Sequence, residues 1–410
     1  MAYKVLINDG MDTEGLEIFG QEGICCLNEH LEGAKLLERI GDFDAFLVRS
    51  KTKVTKEVIE AGAGGILRMI GRGGVGTDNI DVDAANECGV VVKYAPNGVT
   101  NSTAEQAIAL MFSVARKIPQ SHAALGEGIW KKRQFEGIEL EGKTLGIIGC
   151  GRIGQSVAAK ARALGMNVMG YDVKLEAVRE KFPDSTIWYS SKDKVLGESD
   201  VVSLHSGGKD LIIGAEELAV MKPSSILINA SRGANIDEAA LYEALSGGRL
   251  YGAGLDTYER EPKKEGEKTT ESMVRLATLE NVVLTSHLGA STKEGQRKTS
   301  IELARVTIDY LRNGDYVNSC NTVKPSEEEA TGYTVCVFHD DVPRMFAQMA
   351  DVLGQHNINI RAIRSEKVKG PSAPRAITNY IVQQQIRKDA LEKLNGIAGV
   401  YRVLYTPAGD

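Results

Sequence analysis

The sequence is poor in cysteine, has no long uncharged apolar run and carries no excess of positive charge. Its six cysteines in 410 residues are scattered and form no C-x-x-C pair, so we expect free thiols, no disulfide scaffold and no bound metal. No stretch approaches the roughly 18 apolar residues of a membrane span. The net charge of -6 argues against wrapping by nucleic acid, because that affinity comes from many Lys and Arg side chains. The sequence therefore predicts neither a membrane nor a nucleic-acid partner.

What is present is the composition of a globular chain with more than one domain. Apolar residues make up 42% of the chain and charged residues 25%, the usual balance of soluble proteins. A length of 410 residues exceeds what one core supports, since single domains mostly have about 100–200 residues. The first residues, 1–8, lead straight into a strand-like segment without the features of a secretory signal. We therefore expect a cytoplasmic protein of two or three domains.

Two stretches alternate short apolar runs with helix-compatible segments, which is typical of a parallel sheet flanked by helices. The pattern predicts an α/β fold with two Rossmann-like, doubly wound parallel-sheet domains. The first covers residues 1–98 and is completed by 290–318, and the second covers 99–289. The predicted helix 101–116 is apolar on more than one face, which suits burial at a subunit interface, so we expect a homodimer or tetramer.

The end of the chain has a different pattern. Residues 319–332 are polar and carry a proline beside a run of acids, which predicts a linker. After it, residues 333–410 read as β-α-β-β-α-β, the order of a ferredoxin-like domain.

A glycine-rich turn joins the predicted strand 144–148 to a helix. Gly149, Gly151 and Gly154 form G-x-G-x-x-G, where they permit the tight turn, the approach of a pyrophosphate and close helix–strand packing. The N-terminus of the helix supplies N–H donors and positive potential for the phosphates. Asp172 ends the next strand, 23 residues after Gly149, close to the spacing at which an acid meets the ribose hydroxyls and repels a 2′-phosphate. This combination predicts NAD as the cofactor.

Three charged side chains follow later predicted strands: Arg232, Glu261 and His287. Ligands bind outside the carboxyl ends of the strands in an open α/β sheet, so all three can converge on one site. Histidine suits acid–base work near neutral pH, and a carboxylate bonded to it fixes the tautomer and stabilises the imidazolium. Arginine can hold a substrate carboxylate through two hydrogen bonds.

In this order and setting, the three residues resemble the Arg, Glu and His of the D-2-hydroxyacid dehydrogenases, a resemblance that covers essentially the whole chain. It implies an NAD-dependent oxidation in which His287 removes the hydroxyl proton, Glu261 pairs with it and Arg232 holds the substrate carboxylate. It also implies that the first domain binds substrate and the second binds NAD. The cofactor-binding residues that it implies are Gly149, Gly151, Arg152, Ile153, Gly154, Asp172, Ser206, Ala230, Ser231, Asp256 and Gly289.

Within the family, segments 48–52, 71–79 and 95–105 look most like the branch that oxidises 3-phospho-D-glycerate to 3-phosphohydroxypyruvate in serine biosynthesis. The substrate-binding residues implied are Arg49, Ser50, Gly74 and Gln296. The basic run 130–133 either contributes across a dimer interface or is a solvated face. Val99 stands where many relatives have an Asn that contacts substrate. Two alternatives stay open: a glyoxylate, hydroxypyruvate or broader 2-oxoacid reductase, and an NAD-sensing scaffold resembling the C-terminal binding protein corepressors.

The last 80 or so residues resemble an ACT domain, a ferredoxin-like module that often binds amino acids at a paired interface. In the phosphoglycerate branch the ligand is often L-serine. His339, Asp341 and Asn359 align with ligand-holding positions, whereas Arg344 replaces a glycine that permits close approach of a ligand or backbone. An L-serine effector site and a purely structural, dimerising role both stay open.

Overall fold

The computed structural model describes residues 2–262, 266–313, 318–321, 333–368 and 375–406. The chain divides into two compact units, Met1–Gly98 with Gln296–Asp410, and Val99–Gly295. We call these the first unit and the second unit. No helix in the described ranges is long and apolar enough to cross a membrane.

A five-stranded parallel sheet flanked by helices opens the first unit. Its elements in chain order are β1 (Lys4–Ile7), α1 (Thr13–Gln21), β2 (Cys25–Asn28), α2 (Gly33–Arg39), a 3-10 turn (Ile40–Asp42), β3 (Ala45–Val48), α3 (Lys56–Ala63), β4 (Met69–Arg72), α4 (Val82–Glu87) and β5 (Val91–Tyr94). The strand order is β2-β1-β3-β4-β5, one of the two common doubly wound arrangements. All of β3 is buried, which explains its uninterrupted apolar sequence because helices cover both faces of such a sheet.

The second unit is built on a seven-stranded parallel sheet. Its elements are α5 (Thr100–Ala115), α6 (Ile118–Gly126), β6 (Thr144–Ile148), α7 (Arg152–Ala163), β7 (Asn167–Tyr171), α8 (Leu175–Lys181), β8 (Trp188–Tyr189), α9 (Lys192–Glu198), β9 (Val201–Leu204), α10 (Ala215–Val220), β10 (Ile226–Asn229), a 3-10 turn (Gly233–Asn235), α11 (Glu238–Ser246), β11 (Gly252–Leu255), α12 (Glu271–Ala277) and β12 (Val282–Leu284). The strand order is β12-β11-β10-β9-β6-β7-β8. The order reverses between β6 and β9, and ligands of doubly wound sheets bind at the carboxyl edge of such a switch point.

Helix α5 is the long helix that the sequence predicted for a subunit interface. Most of its apolar residues, including Leu110 and Val114, are buried in the core of the second unit. A Cβ added to Gly254 of β11 would lie 3.1 Å from the Leu110 Cβ, so the helix packs directly on the sheet. Ile108 and Phe112 are only partly buried, and the subunit interface predicted for this helix stays a prediction.

Helix α13 (Lys293–Asn313) carries the chain towards its end. Residues 318–321 then lie beside β5, where Ser319 pairs with Lys93 and the Asn321 side chain accepts from Val92 N at 2.8 Å and donates to Val90 O at 2.9 Å. The first residues of the predicted linker 319–332 thus extend the first sheet. Its remaining residues, 322–332, lie outside the described residues.

The C-terminal segment forms a four-stranded antiparallel sheet with two helices. Its elements are β13 (Tyr333–Asp340), α14 (Met345–Gln355), β14 (Ile360–Val368), β15 (Arg375–Val382), α15 (Lys388–Asn395) and β16 (Val400–Thr406). The strand order is β14-β15-β13-β16, so β13 and β15, the two strands that each precede a helix, lie side by side in the centre of the sheet, as is typical of the β-α-β-β-α-β pattern.

The two faces of this C-terminal sheet pack against different partners. Val335 and Val337 of β13 point into a core shared with α14 and α15. The intervening residues Cys336 and Phe338 join a core with Tyr310 of α13 and the first sheet. The sheet is therefore sandwiched between its own helices and the rest of the first unit, a packing that the sequence analysis did not predict.

Candidate active site

The three fingerprint glycines occupy backbone positions with different space requirements. Gly149 has φ +93°, and a Cβ there would lie 2.7 Å from the backbone of His205 and Ser206. A Cβ on Gly154 would lie 2.3 Å from Gly149 O, whereas a Cβ on Gly151 would meet nothing within 4 Å. The packing of the fold therefore requires glycine at positions 149 and 154. Gly151 instead leaves open space at the turn.

That open space lies at the N-terminus of α7, which begins at Arg152. Gly151 is the residue that precedes the helix, and no side chain caps the first turn. The N–H groups of this turn, with the positive end of the helix dipole, form a ready anion site. The space over Gly151 fits the pyrophosphate of a dinucleotide, which Gly151, Arg152 and Ile153 would hold.

Asp172 lies directly beside this turn, just after β7. Its Oδ2 accepts a hydrogen bond from Cys150 N at 2.8 Å, and its Oδ1 accepts one from Lys174 N at 2.8 Å. Both bonds come from the backbone, so the carboxylate is held against the glycine-rich turn. This is the place at which an acid meets the adenosine ribose of a dinucleotide.

His205 and Ser206 follow β9 on the other side of the turn. The Nε2 of His205 is 2.9 Å from Ser203 Oγ, while Nδ1 is buried with no hydrogen-bond partner among the described residues. Burial lowers the pKa of His205 to about 4, so the ring is neutral at neutral pH. The Ser206 hydroxyl accepts from Gly208 N at 3.4 Å.

Arg232 sits on a loop that a set of buried amides holds in place. The Asn229 side chain donates to Arg232 O at 2.9 Å and accepts from the Ser231 N and hydroxyl at 3.0 and 2.8 Å. Asn235 donates to Gly208 O at 2.9 Å and to Asp210 O at 2.8 Å. Ala230 and Ser231, which precede Arg232, are buried. These bonds fix the loop that follows β10, so the position of Arg232 is set by the sheet edge.

Gly233 brings this loop into contact with the loop that carries Glu261. A Cβ on Gly233 would lie 1.8 Å from the Tyr258 carbonyl carbon and oxygen and 2.4 Å from Glu259 N. No side chain fits at such a separation. The two backbones therefore approach each other only because residue 233 is glycine.

Glu261 and His287 form the central contact of the site. The His287 Nδ1 lies 2.9 Å from Glu261 Oε2 and 3.1 Å from Oε1. The His287 side chain is 52% exposed and that of Glu261 34% exposed, so the ring is held on one side and open on the other. His287 itself has φ +56°, a left-handed conformation that side chains rarely adopt.

The Glu261 contact changes the protonation of His287. The hydrogen bond that His287 donates to Glu261 raises the pKa of His287, and burial opposes that effect. The charges of Glu261 and Asp256 raise the pKa further, whereas the Arg232 guanidinium lowers it. The imidazolium is therefore stabilised by two carboxylates.

Asp256 holds the turn after His287. Its Oδ1 accepts from Leu288 N and its Oδ2 from Gly289 N, both at 2.8 Å. Thr285 Oγ1 donates to the same carboxylate at 2.6 Å, and so does Gln106 Nε2, at 3.3 Å. These bonds position the loop that carries His287. The prediction that Asp256 and Gly289 contact the cofactor stays a prediction.

Two residues of this site were missed from the sequence. The Tyr258 hydroxyl donates to Leu255 O at 3.1 Å and Thr285 O at 2.8 Å, and so joins the ends of β11 and β12. Glu238, buried at the start of α11, accepts from Glu259 N at 2.7 Å and from the Ser272 hydroxyl. Neither residue has a motif of its own, so only the fold reveals them.

The predicted substrate residues Arg49, Ser50 and Gly74 lie together in the first unit, after β3 and β4. The backbone N of Arg49 donates to Asp9 Oδ2 at 2.7 Å, and Asn79 donates to Arg49 O at 2.7 Å. Both contacts anchor the loop that carries the guanidinium. Burial lowers the pKa of Arg49 and the Asp9 charge raises it.

Arg72, which was not singled out from the sequence, ends β4 beside this loop. A Cβ on Gly74, whose φ is +131°, would lie 1.6 Å from the Arg72 guanidinium, so glycine makes room for it. The pairing of Val48 with Arg72 places both arginines at one sheet edge. Gln296 lies on α13 in the same unit.

The proposed regulatory residues do not form one pocket within a chain. His339 is buried, with Nδ1 2.7 Å from Asp340 O and Nε2 2.7 Å from Thr378 Oγ1. Asp341 pairs with Lys367 at 3.1 Å. On β15, the partner of His339 is Ala376 and the partner of Ile360, which follows Asn359, is Val382. Six residues of strand span about 20 Å, so Asn359 lies at the opposite end of the sheet.

Arg344, which replaces the glycine of the ACT pattern, keeps a glycine-like backbone. Its φ is +72°, in the left-handed region where glycine is favoured. The turn before α14 therefore survives the substitution, and the Arg344 side chain is exposed.

Known proteins that are similar in sequence identify the family of the chain. Residues 108–289 match the family described as D-isomer specific 2-hydroxyacid dehydrogenase, NAD binding domain. The chain is 42% identical over 313 residues to a D-3-phosphoglycerate dehydrogenase of Methanocaldococcus jannaschii, covering 75% of this chain and 57% of the relative. It is 43% identical over 314 residues to a hydroxypyruvate reductase of Thermotoga maritima, covering 75% of this chain and 98% of the relative.

A solved structure of D-lactate dehydrogenase from Aquifex aeolicus, complexed with NAD and lactic acid, is also similar. It has 28% sequence identity and a TM-score of 0.65, covering 78% of this chain and 100% of that one. The chain spans 54% to 61% of the length of several phosphoglycerate dehydrogenases that it matches. On these matches, the chain belongs to the D-isomer specific 2-hydroxyacid dehydrogenase family and contains the family's NAD-binding domain.

Proposed function

We propose that the protein is an NAD-dependent dehydrogenase that oxidises 3-phospho-D-glycerate to 3-phosphohydroxypyruvate, as in serine biosynthesis. The main support for this reaction type is the His287–Glu261 hydrogen bond of 2.9 Å. It lies in the same unit as the fingerprint turn and Arg232. A histidine, a carboxylate that orients it and a guanidinium are the groups needed for hydroxy-acid oxidation.

The proton balance assigns a role to each group. His287 uses its free Nε2 to take the proton of the substrate C2 hydroxyl, while Nδ1 keeps its bond to Glu261. When bound, NAD accepts the hydride that leaves C2. The imidazolium formed on His287 is stabilised by Glu261, and in the reverse direction it returns the proton to the carbonyl oxygen. Arg232 holds the substrate carboxylate and polarises the C2 oxygen.

The cofactor assignment to NAD rather than NADP rests on Asp172. Its carboxylate is fixed by Cys150 N and Lys174 N, so it cannot turn away from a ribose bound at the turn. A 2′-phosphate in that place would meet a fixed negative charge and be repelled. Ser206, Ala230 and Ser231 complete the proposed cofactor contacts at the neighbouring strand ends.

The phosphorylated substrate is supported by the cations of the first sheet. Arg49 and Arg72 follow adjacent parallel strands, and a pair of guanidinium groups suits a phosphate dianion. Ser50 and Gly74 lie in the same loops, and Gln296 on α13. The similarity to phosphoglycerate dehydrogenases supports the same substrate.

The test is NADH formation, followed by absorbance, with 3-phosphoglycerate as substrate and NAD or NADP as cofactor. We expect turnover with NAD that is lost in His287→Ala by a factor of about 100 or more, the usual contribution of a general base. His122→Ala on α6 is the matched control and should keep wild-type rates. Turnover that survives in His287→Ala would contradict the proposed base.

A second candidate, reduction of hydroxypyruvate or glyoxylate, is supported by the relative of 43% identity named hydroxypyruvate reductase, which this chain covers almost completely. The ratio of kcat/KM for 3-phosphoglycerate and D-glycerate separates the two. Strong preference for the phosphorylated acid, weakened by salt, would favour phosphoglycerate oxidation, because the Arg49–Arg72 edge is screened by ions. Equal values would favour the reductase.

The C-terminal sheet and helices are proposed to be an ACT-type module that can bind L-serine. Because His339 and Asn359 lie at opposite ends of the sheet, such a site would have to combine residues from two copies. Addition of L-serine should then slow turnover of an oligomer. We also propose a homodimer or tetramer. The partly buried Ile108 and Phe112 of α5 and Trp130, which is 79% exposed, are the candidate interface residues, and light scattering of the purified protein tests the oligomeric state.

A further inference from the structure

A cavity of about 530 Å³ opens where the C-terminal sheet and helices meet the first sheet. Three cations line it, Arg68 just before β4, Lys388 on α15 and Arg402 on β16, together with the apolar side chains of Leu391 and Val403. Its volume lies within the range of small-molecule sites. Arg68 precedes β4, so the cavity lies at the edge of the first sheet where the parallel strands begin. The proposed substrate residues lie at the other edge, where the strands end.

The charge on Arg402 is not balanced by the protein. Its guanidinium is partly buried and donates to Arg68 O at 3.0 Å and Leu67 O at 3.1 Å. Among the residues that the structure describes, no carboxylate pairs with it. The other two cations have partners, since Arg68 lies 3.0 Å from Asp44 and Lys388 lies 3.6 Å from Glu392.

A partly buried charge without a counter-ion is costly, and here a second guanidinium adds repulsion. Burial is the main effect that lowers the pKa of Arg402, and the charge of Arg68 lowers it further. The charge and hydrogen bond of Tyr310, and the charge of Cys88, oppose this effect only in part, so the net change is downward. Carbonyl dipoles offset only part of this cost. An anion in the cavity would supply the missing charge while using the N–H donors of Arg402 that the two carbonyls leave free.

The walls indicate what kind of anion fits. Only one of the three cations lacks a carboxylate partner, and Glu392 also lines the cavity, so a dianion such as phosphate would meet a negative wall. Leu391, Val403 and Leu404 provide an apolar surface beside the guanidinium. We propose that this cavity is a binding site for a small monocarboxylic acid with an apolar body, its carboxylate on Arg402 and its body against β16 and α15.

Such a ligand would link the two layers that form the cavity. Arg68 and Tyr310 belong to the first sheet and α13, whereas Arg402 and Leu391 belong to the C-terminal segment. A molecule that binds only when both layers are in place stabilises their packing. This site is independent of the proposed dehydrogenase reaction and of the proposed L-serine site.

The test is titration calorimetry of the full chain with 4-methylpentanoate, a branched apolar monocarboxylate, against its neutral analogue 4-methylpentanamide. We expect one site per chain, with the amide at least about tenfold weaker because a charge-assisted hydrogen bond is lost. No heat of binding, or equal binding of the amide, would overturn the proposal. If an equal concentration of inorganic phosphate displaced the acid, the site would not prefer a monocarboxylate over phosphate, and the proposed ligand class would be wrong.

Variants locate the site. Arg402→Met should weaken binding about tenfold or more. Because that change could loosen the packing, Ile66→Trp is the second variant: Ile66 lines the cavity and is 46% exposed, so a larger side chain can fill the space without disturbing the core. Arg232→Met, in the second unit, should bind the acid as the wild type does. Loss of binding in Arg232→Met, or its survival in Ile66→Trp, would place the acid elsewhere.

Discussion

Replacement of Glu261 by Gln should reduce turnover and change its pH dependence, because the hydrogen bond that Glu261 accepts from His287 raises the pKa of His287. Gln keeps the size of the side chain but not its charge, so it cannot stabilise the imidazolium in the same way. Charge-assisted hydrogen bonds contribute about 1.5–3 kcal/mol. With the His287 side chain 52% exposed and that of Glu261 34% exposed, solvent screening favours the lower end, which corresponds to about a tenfold loss in kcat.

The direction of the pH change follows from which form of His287 reacts. Oxidation of the hydroxy acid uses the neutral imidazole, so its rate rises with pH through the pKa of His287. Reduction uses the imidazolium, so its rate falls with pH through the same pKa. Because Glu261 raises this pKa, the Glu261→Gln variant should show both transitions at lower pH than the wild type.

The assay is NADH absorbance in both directions over the pH range in which histidine titrates. Glu259→Gln is the matched control, since the Glu259 side chain is exposed and the contact of this residue with Glu238 uses its backbone N. The control should leave both transitions in place. Unchanged transitions in Glu261→Gln, or an equal displacement in the control, would refute the assignment of Glu261 as the partner that sets the pKa of His287.

Three further substitutions test the site in other ways. Gly151→Ala should keep the melting temperature, since a Cβ there meets nothing within 4 Å, but should raise KM for NAD about tenfold by occupying the pyrophosphate space; an unchanged KM would contradict that placement. Gly233→Ala should lower the free energy of unfolding by about 1–3 kcal/mol, because its Cβ would lie 1.8 Å from the Tyr258 carbonyl. Thermal unfolding measures this, and Gly207→Ala, with open space around it, should unfold as the wild type does. Asp172→Ser should raise kcat/KM with NADP relative to NAD, and a constant ratio would remove Asp172 from cofactor selection.

Continuous apolar strands could be predicted from the sequence because they are buried on both faces. β3 and β9 are of this kind, since every residue in both strands is buried. The fingerprint turn and the positions of Arg232, Glu261 and His287 at strand ends could also be predicted, because each depends on local chain order. The structure places these three residues on neighbouring loops of one unit.

β11 could not be predicted, because two of its four residues are glycines. A Cβ on Gly252 would lie 2.5 Å from Asn281 O, and a Cβ on Gly254 would lie 2.9 Å from the Ile228 side chain. The strand therefore uses glycine to let α5 and β12 approach closely, and this requirement belongs to the tertiary structure. Strand propensity, which disfavours glycine, points the other way.

The packing of the C-terminal sheet was missed for a different reason. Alternation in β13 indicates that a strand has two different faces, and a free module with one solvated face would show much the same pattern. What distinguishes the two cases is that Cys336 and Phe338 are as deeply buried as Val335 and Val337. A linker that ends in a polar, acidic run gives no hint that the sheet returns to cover the first domain.

The geometry around His287 indicates that the acid–base pair is assembled by the protein. A left-handed backbone at a histidine costs roughly 1–2 kcal/mol, so the φ of +56° persists only if other contacts hold it. Asp256 supplies them, because its two oxygens accept from Leu288 N and Gly289 N directly after the strained residue. Asp256 is itself buried and bonded to the second unit's own α5 and β12 loop. These contacts within the second unit hold the imidazole against Glu261, so we expect the fold, rather than substrate binding, to orient the proposed base.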